Sequence, residues 1–142
     1  MTVKGIWGIR YKWRFNSGYM AKHAQALKDK KITGTKCPKC HRVFVPPANI
    51  CGRCLLELKD WVEVPGEAEL IAYTVGYSAI TGQKLEEPRI IGMIKYDGAD
   101  SWTLAPISGI KPEEVKVGMK LKPVWRKETK GQLGDIEHFA PA

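Results

Sequence analysis

Cys37-Pro38-Lys39-Cys40, ten further residues and Cys51-Gly52-Arg53-Cys54 hold every cysteine of this 142-residue chain within eighteen positions. A C-x-x-C turn points two sulfurs at one ion. Two such turns supply four thiolates for a tetrahedral site with metal–sulfur bonds of roughly 2.3 Å. A segment of about twenty residues cannot bury enough apolar surface to fold alone, so the ion supplies the missing free energy. Structural zinc, one ion per chain, is the expected occupant of Cys37, Cys40, Cys51 and Cys54. A mononuclear iron is the alternative, and two disulfides or a redox-active C-x-x-C compete on spacing alone. Four sulfurs close the coordination sphere and leave no position for water or substrate, which argues against metal catalysis.

The residues between the pairs, Arg42 to Pro47, read as a strand ending in a proline break, as a ribbon hairpin requires. Ten intervening residues are fewer than the commoner 15–20 or so, so the ribbon is expected to be small. His41 adjoins a ligand, but a fifth ligand is not needed, and it reads as an exposed ribbon residue.

Upstream, residues 1–16 interleave Trp7, Tyr11, Trp13 and Phe15 with Lys4, Arg10, Lys12 and Arg14, the texture of an arm. Ser17 is a candidate N-cap for a helix over Gly18–Lys31. Met20, Ala24 and Leu27 fall on one face, Lys28, Lys30 and Lys31 lie near the end, and Gly34 serves as the stop.

Downstream the texture turns to alternating, β-branched runs. Five strands are expected, at Glu67–Ser78, Arg89–Tyr96, Trp102–Ile107, Met119–Lys127 and Ile136–Phe139, with Trp61–Val64 as a lead-in. Asp97-Gly98 marks a hairpin lengthened by Ala99 and Asp100, and Pro112-Glu113-Glu114-Val115 leaves room for one short helix before Gly118. Five short strands with one helical turn between the third and fourth match the five-stranded Greek-key OB barrel. The expected fold is therefore mainly β with an N-terminal helix, a small zinc ribbon and an OB-fold barrel. Its segments are 1–34 (arm and helix), 35–57 (ribbon) and 58–142 (barrel).

Charge is unevenly placed along this order. Residues 1–59 carry 13 Lys/Arg against Asp29 and Glu57, whereas residues 60–142 carry 10 against 13 acids, so +11 is followed by −3. The basic half suits phosphates, whether of nucleic acid, an anionic membrane or a phosphorylated cofactor, and a merely solvated basic surface is the plain alternative. A barrel that tracks a nucleic-acid backbone should itself be basic, so the net −3 of that half disfavours single-stranded nucleic acid as the ligand. No run approaches the roughly 18 apolar residues of a membrane span and residues 1–32 lack a secretory h-region, so a cytoplasmic location and no membrane partner are expected.

Catalytic motifs are missing. G-x-S-x-G, a P-loop, H-E-x-x-H and G-x-G-x-x-G do not occur in the sequence. His23 and His138 have no pattern joining them to a Ser or Asp, and Glu86-Glu87 and Glu113-Glu114 fall in turn or helix-start contexts. With the cysteines committed to the ribbon, a nucleophile beside a base is lacking, and the chain is not expected to be an enzyme in its own right.

Taken in order, the helix, the Cys37–Cys54 ribbon with Val45-Pro46-Pro47, Trp61-Val62-Glu63-Val64-Pro65-Gly66, Tyr73-Thr74-Val75 and Ile110 to Met119 resemble the family long called domain of unknown function thirty-five. The resemblance covers about residues 18–140. It implies a rubredoxin-like zinc ribbon joined to an OB-fold. One departure is His41, where the family's first knuckle commonly continues with glycine. The resemblance further implies a non-catalytic partner of a thiolase-like or hydroxymethylglutaryl-CoA synthase-like enzyme that binds CoA or acyl-CoA or bridges active sites. Coenzyme A carries phosphates that the basic half attracts and an adenine on which an aromatic ring stacks. Arg10, Lys12, Trp13, Arg14 and Lys22 place cations beside aromatic surface and are the candidate ligand contacts; a solvated arm with a few docked aromatics is the alternative.

Overall fold

The helix forms where expected but stops earlier. In the computed structural model, which describes residues 5, 8, 10–12, 18–79 and 81–142, α1 spans Gly18–Lys28 and buries His23, Ala24 and Leu27. Lys31 N–H donates to Ala26 O at 3.1 Å and Lys30 N–H to Leu27 O at 2.9 Å, with Lys30 at φ 57°. That pair of bonds around a left-handed residue is a Schellman stop, which satisfies carbonyls the helix would otherwise leave bare. The expected end at Lys31 and the stop at Gly34 are therefore corrected. Ser17, Trp7, Trp13, Arg14 and Phe15 lie outside the described residues.

Gly34 belongs instead to β1, Ile32–Lys36, a strand that sequence periodicity does not reveal. β1 is the centre of a three-stranded antiparallel sheet between β2 (Val43–Phe44) and β3 (Asp60–Val64), and its ladder with β3 runs from Ile32↔Val64 to Lys36↔Asp60. A Cβ on Gly34 would meet the Phe44 carbonyl oxygen and, at 2.6 Å, Val45 Cγ2. Glycine is therefore required by the close approach of β2, not by a helix end. The strand expected over Arg42–Pro47 shortens to two residues because Asp100 and Ser101, not a neighbouring strand, take up the backbone on either side of Phe44 (below).

The second half closes into a barrel of β4 (Ala68–Ser78), β5 (Lys84–Tyr96), β6 (Thr103–Ile107), β8 (Ile136–Pro141) and β7 (Lys120–Trp125), in that order around the barrel. A single 3-10 turn, Pro112–Glu114, stands between the third and fourth strands. Mainly strands, one helix, a ribbon and a five-stranded closed barrel are the architecture the sequence implies. Against the expected ends, β4, β6 and β7 each begin one residue later and β8 runs on to Pro141, while two further ends shift for a visible reason. β5 begins at Lys84, not Arg89: its outer residues run beyond the last β6 pair, Ile90↔Ile107, so Pro88 removes no ladder bond on that side. β7 ends at Trp125, where a register shift against β8 breaks the ladder before Lys127.

Leu70, Ile94, Leu121 and Phe139 fill the barrel, each at most 2% exposed, and Tyr96 meets Phe139 edge-on at 5.8 Å. Leu27, Ile32 and Val45 belong to the same core, so helix, ribbon and barrel share one hydrophobic interior. A parallel contact between β6 and β8 occurs at Ile107↔Phe139, which leaves Thr103–Pro106 facing α1. No helix is long and apolar enough to cross a membrane among the described residues.

Two loops fasten these parts. Val43 N–H donates to Asp100 Oδ2 (2.9 Å), Asp100 N–H to Val43 O (2.8 Å), Val45 N–H to Ser101 Oγ (2.7 Å), and that hydroxyl donates to Val45 O (3.0 Å). The long turn after Asp97-Gly98 is thus the clasp between barrel and ribbon. On the far side, the carboxylate of Asp135 accepts from the backbone N–H groups of Lys130, Gly131 and Gln132, and Thr129 Oγ1 donates to Lys28 O at 2.7 Å. This loop packs on α1.

Candidate metal centre

The two knuckles repeat one backbone pattern. Cys37 O accepts from His41 N–H at 3.0 Å while Cys37 N–H donates to Arg42 O at 2.9 Å; Cys51 O accepts from Leu55 N–H at 2.8 Å while Cys51 N–H donates to Leu56 O at 2.9 Å. Each turn closes through a left-handed residue, His41 at φ 59° and Leu55 at φ 57°. A glycine would adopt that conformation at lower cost. His41 nevertheless keeps the turn, and its ring is exposed as expected.

The four sulfurs converge. Sγ atoms of Cys37, Cys40, Cys51 and Cys54 lie within 4.8 Å of one another, and Cys40 Sγ is 3.7 Å from Cys51 Sγ. Bonds of roughly 2.3 Å in a tetrahedron place sulfurs about 3.8 Å apart, so the donor set fits a single four-coordinate ion. All four cysteines are free thiols. Cys37 and Cys51 are buried beside Leu58, with Phe44 and Ala48 packed against them. So few apolar groups cannot hold the ribbon by themselves. Hydrogen bonding from the Cys40 backbone holds the Cys37 thiol well below its ordinary value, against burial. Burial and then the neighbouring sulfurs push Cys54 up. Negative sulfur cannot accumulate here without a cation.

Thr35 ties the ribbon to β1. Its fully buried hydroxyl donates to Ala48 O at 2.9 Å and accepts from Ala48 N–H at 3.0 Å. Next to the ribbon, Lys22 Nζ stands 4.2 Å from the Trp61 ring centroid, and Tyr19 stacks on the same ring at 5.5 Å while its hydroxyl donates to Leu58 O. Tyr19 and Lys22, three apart on α1, share a face, a spacing that makes Tyr19 recoverable from sequence. Trp61 reaches them only through the β1–β3 pairing. Of the candidate ligand residues, Arg10 and Lys12 are exposed and Trp13 and Arg14 lie outside the described residues.

Comparison with known proteins agrees with this geometry. The profile of the ChsH2 rubredoxin-like zinc ribbon domain matches residues 24–57, and that of the ChsH2 C-terminal OB-fold domain matches residues 61–126. A crystal structure of a DUF35-family protein of unknown function from Sulfolobus solfataricus aligns at a TM-score of 0.68 and 30% identity, over 85% of this chain and 83% of that one. The chain belongs to the DUF35 family. A DUF35 domain-containing scaffold protein from Methanocaldococcus jannaschii is 26% identical over 97 residues, 68% of this chain and 68% of the relative. The structure named Ltp2-ChsH2(DUF35) aldolase aligns at a TM-score of 0.62 and 22% identity over 94% of this chain and 98% of that one, a likeness of fold. The four cysteines of this DUF35 protein that could hold a metal ion, Cys37, Cys40, Cys51 and Cys54, fall inside the ribbon match.

Proposed function

We propose that this DUF35 protein is a non-catalytic accessory or bridging subunit that binds CoA or acyl-CoA beside a thiolase-type enzyme, a thiolase or a hydroxymethylglutaryl-CoA synthase. One structural zinc per chain, on Cys37, Cys40, Cys51 and Cys54, holds its ribbon. The observation that carries the reading is the closed four-thiolate cluster. It consumes every cysteine of the chain, so the nucleophile of any acyl transfer belongs to a partner. The names of relatives support it: one is a scaffold protein, and a similar fold occurs in a complex named as an aldolase. Phosphates of CoA would meet Arg10, Lys12, Trp13, Arg14 and Lys22 of the basic arm and helix. Lys22 with Trp61 and Tyr19 offers a cation beside ring surface for the adenine.

Calorimetry with CoA and co-purification with a co-expressed thiolase-type enzyme test the proposal. Saturable CoA binding that weakens on replacing Lys22 supports it. Absence of both CoA binding and enzyme association sinks it. The nucleic-acid reading is disfavoured by the net −3 of residues 60–142, and retention on single-stranded oligonucleotides at low salt would revive it.

A further inference from the structure

Beside the metal centre the fold leaves a second feature with no role in holding the ribbon. Where β6 parts from β8, a cavity of about 270 Å³ opens between α1, the ribbon and the barrel. That is close to the lower end of small-molecule sites, roughly 300–1,000 Å³. Met20 and Leu27 of α1 and Phe139 of β8 line it, and Leu104 and Leu133 at its walls are 65% and 44% exposed. Apolar side chains so exposed beside an apolar cleft mark a mouth, not a filled core.

Among the lining residues His23, Tyr96 and Thr103 carry polar side-chain atoms, and His23 is the only one of the three with a ring nitrogen. His23 is 6% exposed, its Nδ1 is 3.2 Å from Thr33 Oγ1, and among the described residues Nε2 makes no hydrogen bond. No fully buried side-chain nitrogen or oxygen lacks a partner among the described residues, so Nε2 keeps access to solvent on the cavity side, where a ligand oxygen could take the place of water. Burial lowers its pKa from the ordinary histidine value, against the hydrogen bonding at Thr33, so the ring is neutral near pH 7. In the tautomer in which the Thr33 hydroxyl donates to Nδ1, the ring proton sits on Nε2 and is available to a carbonyl or carboxylate oxygen. The helix that carries His23 also carries Lys22 and Lys28 and no acid. An anionic head group near the mouth therefore meets positive charge.

We infer that this cavity binds a medium-chain acyl group, with Met20, Leu27 and Phe139 against the chain and the acyl oxygen on His23 Nε2. The inference rests on the acyl-CoA reading above and extends it from the nucleotide to the acyl end. A wider cleft of about 960 Å³ along the outer half of β5 is a poorer candidate. Lys84, Glu86, Glu87 and Arg89 line it with charges of both signs.

Calorimetry on the zinc-loaded full chain, with decanoic acid, CoA and decanoyl-CoA as probes, separates the two readings. The expected result is saturable binding of decanoic acid, and binding of decanoyl-CoA about tenfold or more tighter than that of CoA. Met20→Trp, which fills the cavity, abolishes that difference, and Leu133→Arg at the exposed rim does the same should the first variant lose stability. His23→Phe weakens decanoic acid by about tenfold, the worth of one hydrogen bond. Equal affinity for CoA and decanoyl-CoA without decanoic acid binding overturns the acyl site and leaves the CoA reading standing. Decanoic acid binding without CoA binding does the reverse. Binding that survives both cavity variants overturns the assignment to this cavity, and failure of all three probes removes both readings.

Discussion

Replacing Gly34 by alanine should loosen the ribbon from the rest of the protein. The new methyl would fall on the Phe44 carbonyl oxygen and 2.6 Å from Val45 Cγ2, below the 3.0 Å that real Cβ contacts essentially never breach. The obstacle is backbone, so no rotamer change relieves it. β2 cannot retreat freely either, because Val43 and Val45 are bound to Asp100 and Ser101. Overpacking costs about 1–3 kcal/mol, and surrendering one clasp hydrogen bond adds about 1 kcal/mol. At roughly 3 °C per kcal/mol for a chain of this size, a total near 3 kcal/mol lowers the melting temperature by about 9 °C. Since Cys37 follows β1 directly and Cys40 precedes β2, zinc affinity should fall as well. The assay is a thermal melt of zinc-loaded protein with a zinc-chelator competition, using Gly52→Ala as control. Gly52 sits inside the second knuckle with nothing within 4 Å of its Cβ position. A Gly34→Ala melting temperature within about 2 °C of wild type would refute the steric argument, given the shift per kcal/mol expected at this size.

Asp135→Ala should destabilise by about 2–4 kcal/mol, because the part-buried backbone N–H groups of Lys130, Gly131 and Gln132 lose a charged acceptor; urea titration reads it. Burial raises the Asp135 carboxyl, but the backbone N–H groups of Lys130, Gln132 and Gly131, with Arg126, outweigh that and hold it below the usual carboxylate value. Its contribution is therefore complete above the unfolded value of about 3.9 and is lost as pH falls through the lower folded value, so Asp135→Asn should flatten the acid limb of a stability–pH profile. Lys30→Gly, at φ 57° in the helix stop, should raise stability by about 0.5–1 kcal/mol, with a melting temperature higher by some 2–3 °C. Elemental analysis should find about one zinc per chain on the four thiolates, and chelation should open residues 35–58 to proteolysis; disulfides and no metal would overturn the site.

The cysteine quartet, the start of α1, the five barrel strands and the turns at Asp97-Gly98 and Pro112 were legible in the sequence. Each depends on residues within a few positions of one another: C-x-x-C turns, three- and four-residue apolar spacing, and β-branched runs between Gly and Pro breaks. Strand β1 was not legible. Ile32-Thr-Gly-Thr-Lys36 has no convincing period, and its centre is a glycine that local rules assign to a helix stop. It is a strand because β3, nearly thirty residues on, supplies a five-residue ladder, and it tolerates only glycine because β2 crosses so near. The same non-local dependence hid the clasp at Asp100 and Ser101, the Trp61 ring under Lys22, and the cavity on which His23 fronts. The sequence by itself thus determined which atoms are able to hold a metal. Tertiary structure alone decided how the ribbon is joined to the barrel, and that His23 fronts a cavity between helix and barrel, because both follow from backbones meeting across long stretches of chain.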